Sequence, residues 1–390
     1  MTRLVAILGG LAAAAGAAAA DPLDLAAGHA LFERLWVAAP ASTGAADGLG
    51  PLFNARSCNG CHEGGGAARV FERDGATVAR GLVMRLAGAD GGPHPLFGVQ
   101  LQDRAVAGLL PEGRISVRLD GRALTVSADY SGASTEAVFG EVRIAPSLRG
   151  RGMLERIDEA AIAALADPGD SDGDGISGRM RPVDDGAGAT AAGRFGHKAS
   201  SPSLVTQTAA AAAIDLGLSS RQHPLPYGDC TTSQVLCRKA AGSDAAELSS
   251  AAIGLIAAYV GALAVKAPVA APADLALFRS AGCAACHRPD MPDQAGRRWP
   301  VFTDLLLHDL GPDAAGSLGE GGFSPSEWRT APLLDLDPLD GQRRFLHDGR
   351  AASLHDAIMF HGGEAGPARS AYGALTEADR QRLVAFIAGL

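Results

Sequence analysis

A chain of 390 residues, 47% hydrophobic and only 20% charged, can bury a large core and divide into two or more domains, which excludes a disordered protein. A formal charge of -9 excludes a nucleic-acid backbone as partner, because that binding needs clustered Lys and Arg to displace counterions. At the N-terminus, Arg3 precedes an apolar run that ends in the small residues Ala18, Ala19 and Ala20. This is the pattern of an export signal over residues 1–20, cleaved before Asp21. A single-pass anchor is the competing reading, weakened by the Ala and Gly content of the run. The expectation is an exported, periplasmic protein without a stable membrane span.

A helix in "GHALFERLWVAAP" leads to "SCNGCHE", and "PADLALFRSAGC" leads to a second such segment, "AGCAACHR". Each places two thiols three residues apart with an imidazole directly after them, the attachment pattern of a c-type haem. Cys58 and Cys61 would bind one porphyrin by thioether bonds, Cys283 and Cys286 a second. His62 and His287 would be the proximal iron ligands. A structural zinc needs four ligands, and neither segment has a second ligand pair close by in sequence.

Between these segments, "GRISVRLDGRALTVSADY" alternates Ile115, Val117 and Leu119, turns at Asp120–Gly121, and resumes with Leu124 and Val126. That is a β-hairpin signature, in a small antiparallel insertion at about residues 78–145. Farther on, within residues 170–178, Asp170, Asp172, Asp174 and Gly175 have the first spacings of a calcium loop, but Arg181 stands where an EF-hand needs a bidentate Glu. A partial calcium loop and a plain Asp/Gly turn both remain open. Cys230 and Cys237 bracket a six-residue loop and are expected to form a disulfide in an oxidising compartment.

The helix in "DAAELSSAAIGLIAAYVGALAV" closes the first unit near residue 265, and the Pro-rich "KAPVAAPAD" links it to the second. The last helix, "TEADRQRLVAFIAGL", has Thr376 as its cap and Leu383, Phe386, Ile387 and Leu390 on one stripe. The expected fold is mainly α: two cytochrome c-type haem domains, residues 21–265 and 266–390, with the β insertion in the first and extensive loops.

"GLGPLFNARSCNGCHEGGG", "DSDGDGISGRM", "GRFGHKASSPSLVTQ", "CTTSQVLC", "FTDLLLHDLGP", "EWRTAPL" and "FLHDGRAASLHDAIMFHGGEA" together resemble the dihaem c-type oxidoreductases described as peroxidases. These are relatives of the bacterial dihaem cytochrome c peroxidases and of the dihaem enzyme that matures the tryptophan-derived cofactor of methylamine dehydrogenase. In the peroxidase relatives, the helix after the "FHDG" segment supplies a Met to the distal face of the second haem. The resemblance puts His361 at about that place, with Met359 as competitor. It also implies that His347, and similarly His308, lie near a haem, His347 beside a propionate with Arg350 as its charge partner. An ordinary buried polar role is the alternative for both.

The sixth position of the first haem has His94 and His197 as candidates, although the family motif often carries a Trp where His197 stands. If that position is open, the iron can meet peroxide or oxygen, with Gln207 or Glu141 as the polar group steering bond cleavage. His29, His223 and His355 read as solvated. The resemblance implies a peroxidase-like oxidoreductase that draws electrons from a small redox protein or a quinol-linked donor through the second haem. The alternative is a dihaem electron carrier without a substrate site.

Overall fold

The computed structural model describes residues 21–131, 137–240, 246–265, 271–337 and 341–390, so the expected export segment and residues 266–270 of the linker lie outside the described residues. The chain is only 30% helical and 21% strand, which corrects the expectation of a mainly α fold. Among the described residues the strands form seven two-stranded antiparallel pairs rather than one small sheet.

The expected hairpin is present: Gly113–Asp120 pairs with Ala123–Tyr130 in the register Leu119↔Leu124, closing on Gly121 and Arg122. Ile115, Val126, Ala128 and Tyr130 lean on Met84, Leu86, Phe97 and Leu101, so the hairpin buries one face and leaves the other to solvent. Two further pairs stand beside it. Arg69–Arg73 pairs with Ala76–Arg80, and Leu82–Ala87 pairs with the distant Phe139–Ile144. The first of these turns on Asp74–Gly75, at φ 53° and 76°. Two positive φ values define the tight turn that Asp-Gly favours, so this hairpin too carries its signal in the sequence.

The helices expected around each CxxCH segment are present, although the first begins before the expected stretch and ends at Glu33, short of residues 34–40. Helix Pro22–Glu33, capped by Asp21, buries Gly28 and Phe32. It crosses helix Ser250–Ala262, whose buried stripe is Ile253, Ile256, Ala257 and Val260. A Cβ on Gly28 would stand 2.1 Å from the Leu255 carbonyl oxygen, so the two backbones touch at that glycine. In the second half, helices Pro272–Ser280 and Glu377–Ala388 meet through Phe278 and Phe386, with ring centroids 5.7 Å apart. The predicted stripe Leu383, Phe386, Ile387 and Leu390 is buried. Cys58 packs against the core of the first helix pair and Cys283 against that of the second. Cys230 and Cys237 are disulfide-bonded. No helix among the described residues is long and apolar enough to cross a membrane.

Candidate haem sites

Each of the two CxxCH segments forms a local turn. Ser57 Oγ accepts from Gly60 N at 3.1 Å and starts the single turn Cys58–Cys61, while Gly282, at φ 80°, bends the chain into Cys283–Ala285. Cys58, Cys61, Cys283 and Cys286 are free thiols. Burial, with Asp215 nearby, pushes Cys58 and Cys61 up to about 12, and burial pushes Cys283 up to about 11. These three shifts favour the neutral thiol over the depressed-pKa thiolate of a dithiol redox centre.

The histidines separate by tautomer. A carbonyl oxygen can only accept, so an imidazole nitrogen bonded to one carries the proton and leaves the other nitrogen with its lone pair free. His62 gives Nδ1 to the Pro146 carbonyl at 3.0 Å, His287 gives Nδ1 to Phe302 at 3.1 Å, and His361 gives Nδ1 to Ala357 at 2.7 Å. Each presents a bare Nε2, the usual arrangement of an imidazole metal ligand held by an outer hydrogen bond. Burial lowers His62 and His287 to about 4 and lowers His361, so all three are neutral and able to ligate. The His287 and His361 rings lie 6.4 Å apart between centroids. That matches two metal–imidazole bonds of about 2 Å plus two ring radii. Beside the paired thiols, this donor set fits a haem.

Neither candidate for the sixth position of the first haem has this tautomer. His94 is fully buried, and its Nδ1 accepts from Leu96 N and Phe97 N, both at 3.2 Å, which puts the proton on an Nε2 that has no partner. His197 turns Nε2 to the Ile144 carbonyl at 3.0 Å, and burial with Arg143 lowers it to about 3.

Of the two polar candidates, Gln207 has a buried Oε1 without a partner, beside Gly196 next to His197. Glu141 is engaged on both oxygens: Oε1 holds Arg143 Nε at 2.5 Å and Oε2 accepts Leu318 N at 3.0 Å. As a candidate for steering bond cleavage, Glu141 is thus already engaged in a buried ion pair with Arg143.

His347 stacks on Trp328, with centroids 3.8 Å apart and planes 13° apart, and its Nε2 is buried without a partner. Burial, then His197 and Arg143, lowers it to about 2. The Arg350 guanidinium holds Asp348 at 2.6 Å and the carbonyls of Asp313 and Ala315 at 2.7 and 2.9 Å. Trp328, to which no role falls from sequence alone, also carries Lys198 Nζ at 3.9 Å and Arg143 at 4.6 Å from its ring centre.

Met359 is 43% exposed, beside Arg122 and Arg350, rather than in the core. His308 has no free nitrogen, because Nε2 meets Asp304 at 2.9 Å and Nδ1 meets Glu364 at 2.7 Å. Against the burial that opposes charge, hydrogen bonds with Asp304, Cys286 and Glu364 push it up to about 12. His29 is half exposed against Glu33, and His355 bonds Tyr372. In the Asp/Gly loop, Asp170, Asp172 and Asp174 lie within 4.8 Å of one another, and their carboxylates accept Gly175 N, Asp174 N and Ile176 N.

Two CxxCH segments, each with a neutral imidazole turned the same way, define a dihaem redox protein. The family model "Di-haem oxidoreductase, putative peroxidase" matches residues 125–390, and the chain belongs to that family. It is a dihaem oxidoreductase with haem as its cofactor. Methylamine utilization protein MauG of Methylorubrum extorquens is 36% identical over 126 residues, which cover 29% of this chain and 32% of MauG. The match thus spans about a third of that relative's length. A structure of hydrazine synthase from Kuenenia stuttgartiensis, pressurised with xenon, aligns over 100% of both chains at 14% identity. Its TM-score of 0.33 is too low to define a shared fold.

Proposed function

We propose that the protein is an exported, periplasmic, peroxidase-like enzyme with two covalently attached c-type haems, bound through Cys58 and Cys61 and through Cys283 and Cys286. Haem, when bound, supplies one-electron chemistry at iron. In this reading His62 is the proximal ligand of the first site, and His287 and His361 close the second from both faces. Electrons from a small redox protein or a quinol-linked donor reach the first site by way of the second, and peroxide or another small oxidant is reduced there.

The observation that carries the reading is the tautomer division. His62, His287 and His361 offer a bare Nε2, whereas His94 and His197 hold their protons on that nitrogen. A second imidazole is thus matched to His287, while neither His94 nor His197 offers one to His62, which favours an open first site over an electron carrier with two closed ones. Pro146 and Phe302 fix the proximal rings by accepting from Nδ1. Gln207 Oε1, lacking a partner, is the acceptor available to hold a proton of the bound oxidant.

The spin state of the purified ferric holoprotein tests the proposal. One high-spin and one low-spin iron is the expected result. Two low-spin irons that do not respond to peroxide would establish the carrier instead.

A further inference from the structure

Glu364 follows His361 by three residues, and its carboxylate is saturated. Oε1 accepts from Ser177 Oγ at 2.7 Å and Asp309 N at 3.1 Å, while Oε2 accepts from Ser177 N at 3.1 Å and His308 Nδ1 at 2.7 Å. His308 continues the chain of contacts, since its Nε2 meets Asp304 Oδ2 at 2.9 Å. Asp304 lies two residues beyond Phe302, whose carbonyl holds the His287 ring. The turn itself is pressed onto the strand Leu307–Asp309 that carries His308: a Cβ on Gly363, at φ 52°, would stand 2.2 Å from the Asp309 carbonyl oxygen. One carboxylate therefore fastens the segment behind His361 to the His287 side of the second site and, through Ser177, to a loop of the N-terminal half.

We propose that Glu364 is the positioning residue for His361, holding its imidazole opposite His287, and that Ser177 makes this placement depend on the N-terminal half of the chain. The inference rests on His361 being the sixth ligand of the second haem. His361 sits past the end of the short helix Leu354–Met359, and Glu364 is the anchor that ties the segment after it to the opposite side of the site. The ring's own bond to Ala357 orients the imidazole, but the segment's attachment sets its distance from His287.

Three variants of the holoprotein, Glu364→Gln, Ser177→Ala and His361→Gly, separate the possibilities by electron paramagnetic resonance of the ferric state, with haem content checked by mass. The amide in Glu364→Gln cannot accept at all four positions. It should convert second-site low-spin signal to high-spin, raising the ligand-released fraction roughly tenfold, the scale of one lost charge-assisted hydrogen bond. Ser177→Ala, which leaves the second half untouched, should shift the signal in the same direction by less, and it decides the matter if Glu364→Gln does not fold. If His361→Gly opens the second site while the foldable variants of Glu364 and Ser177 keep the wild-type signal, the positioning role is wrong. If His361→Gly leaves the second site low-spin, the ligand assignment beneath it has failed instead.

Discussion

Gly28→Ala tests whether the first helix pair is built on backbone contact. The added methyl would stand 2.1 Å from the Leu255 carbonyl oxygen and 2.8 Å from Tyr259 Cβ. Neither neighbour is the end of a flexible side chain, so the helices must part by roughly 1 Å to restore even a weak carbon–oxygen contact of about 3.3 Å. Parting them loosens Phe32 against Ile256 and Val260, all buried in the core that also holds Cys58. Overpacking of this kind costs about 1–3 kcal/mol, against a gain of about 0.5–1 kcal/mol from replacing a helical glycine. The net expectation is a loss of about 1–2 kcal/mol. Gly254, on the partner helix, has nothing within 4 Å of the place where an added methyl would stand, and there the same substitution should stabilise by the propensity gain alone. Denaturant midpoints of the two variants, at matched haem content, provide the comparison. If Gly28→Ala is as stable as the wild type, or Gly254→Ala is as damaging, the close crossing is not what holds this pair.

The remaining expectations can be checked with purified protein. The mature holoprotein should carry the mass of two haems, and changing Cys283 and Cys286 together to Ala should leave one. Cys230 and Cys237 should resist thiol labelling in the unfolded, unreduced chain, and reducing them should cost about 2–3 kcal/mol through a loop closed over a separation of 7 residues. Burial, then Asp229, raises Glu112 from 4.5 to about 8. The folded state then binds a proton that the unfolded state has released between those values, so stability should fall as pH rises from about 4.5 to about 8, and Glu112→Gln should flatten that fall in urea titrations at several pH values. Met359→Leu should leave the spectra of both haems unchanged; an altered second-haem spectrum would mean that the exposed thioether ligates after all.

The last helix was legible because it joins a cap to an apolar stripe. Thr376 followed by Leu383, Phe386 and Ile387 is readable without coordinates, and the structure buries that stripe. The strands were underread for a physical reason. Most are short two-stranded pairs, too brief for a period of two to stand out, and Leu82–Ala87 finds its partner only at Phe139–Ile144. Contacts so distant leave no local mark. The pair Gly113–Asp120 and Ala123–Tyr130 was the exception, because its alternation and its turn glycine lie in the sequence itself.

At the site, the attachment residues were legible because covalent haem binding compresses its requirements into five consecutive positions. The other histidines were not, because what distinguishes a ligand from a bystander is the partner of the second ring nitrogen. For His197 that partner is the Ile144 carbonyl, 53 residues away, and for His361 the Ala357 carbonyl, 4 residues away, and any residue could supply either. His308 shows the same limit from the other side. Its neighbours in sequence suggest nothing, yet two carboxylates 4 and 56 positions away take both nitrogens and remove it from the ligand candidates. Residue type therefore proposes a histidine as a ligand, while the fold, by choosing which nitrogen keeps the proton, decides whether it can be one.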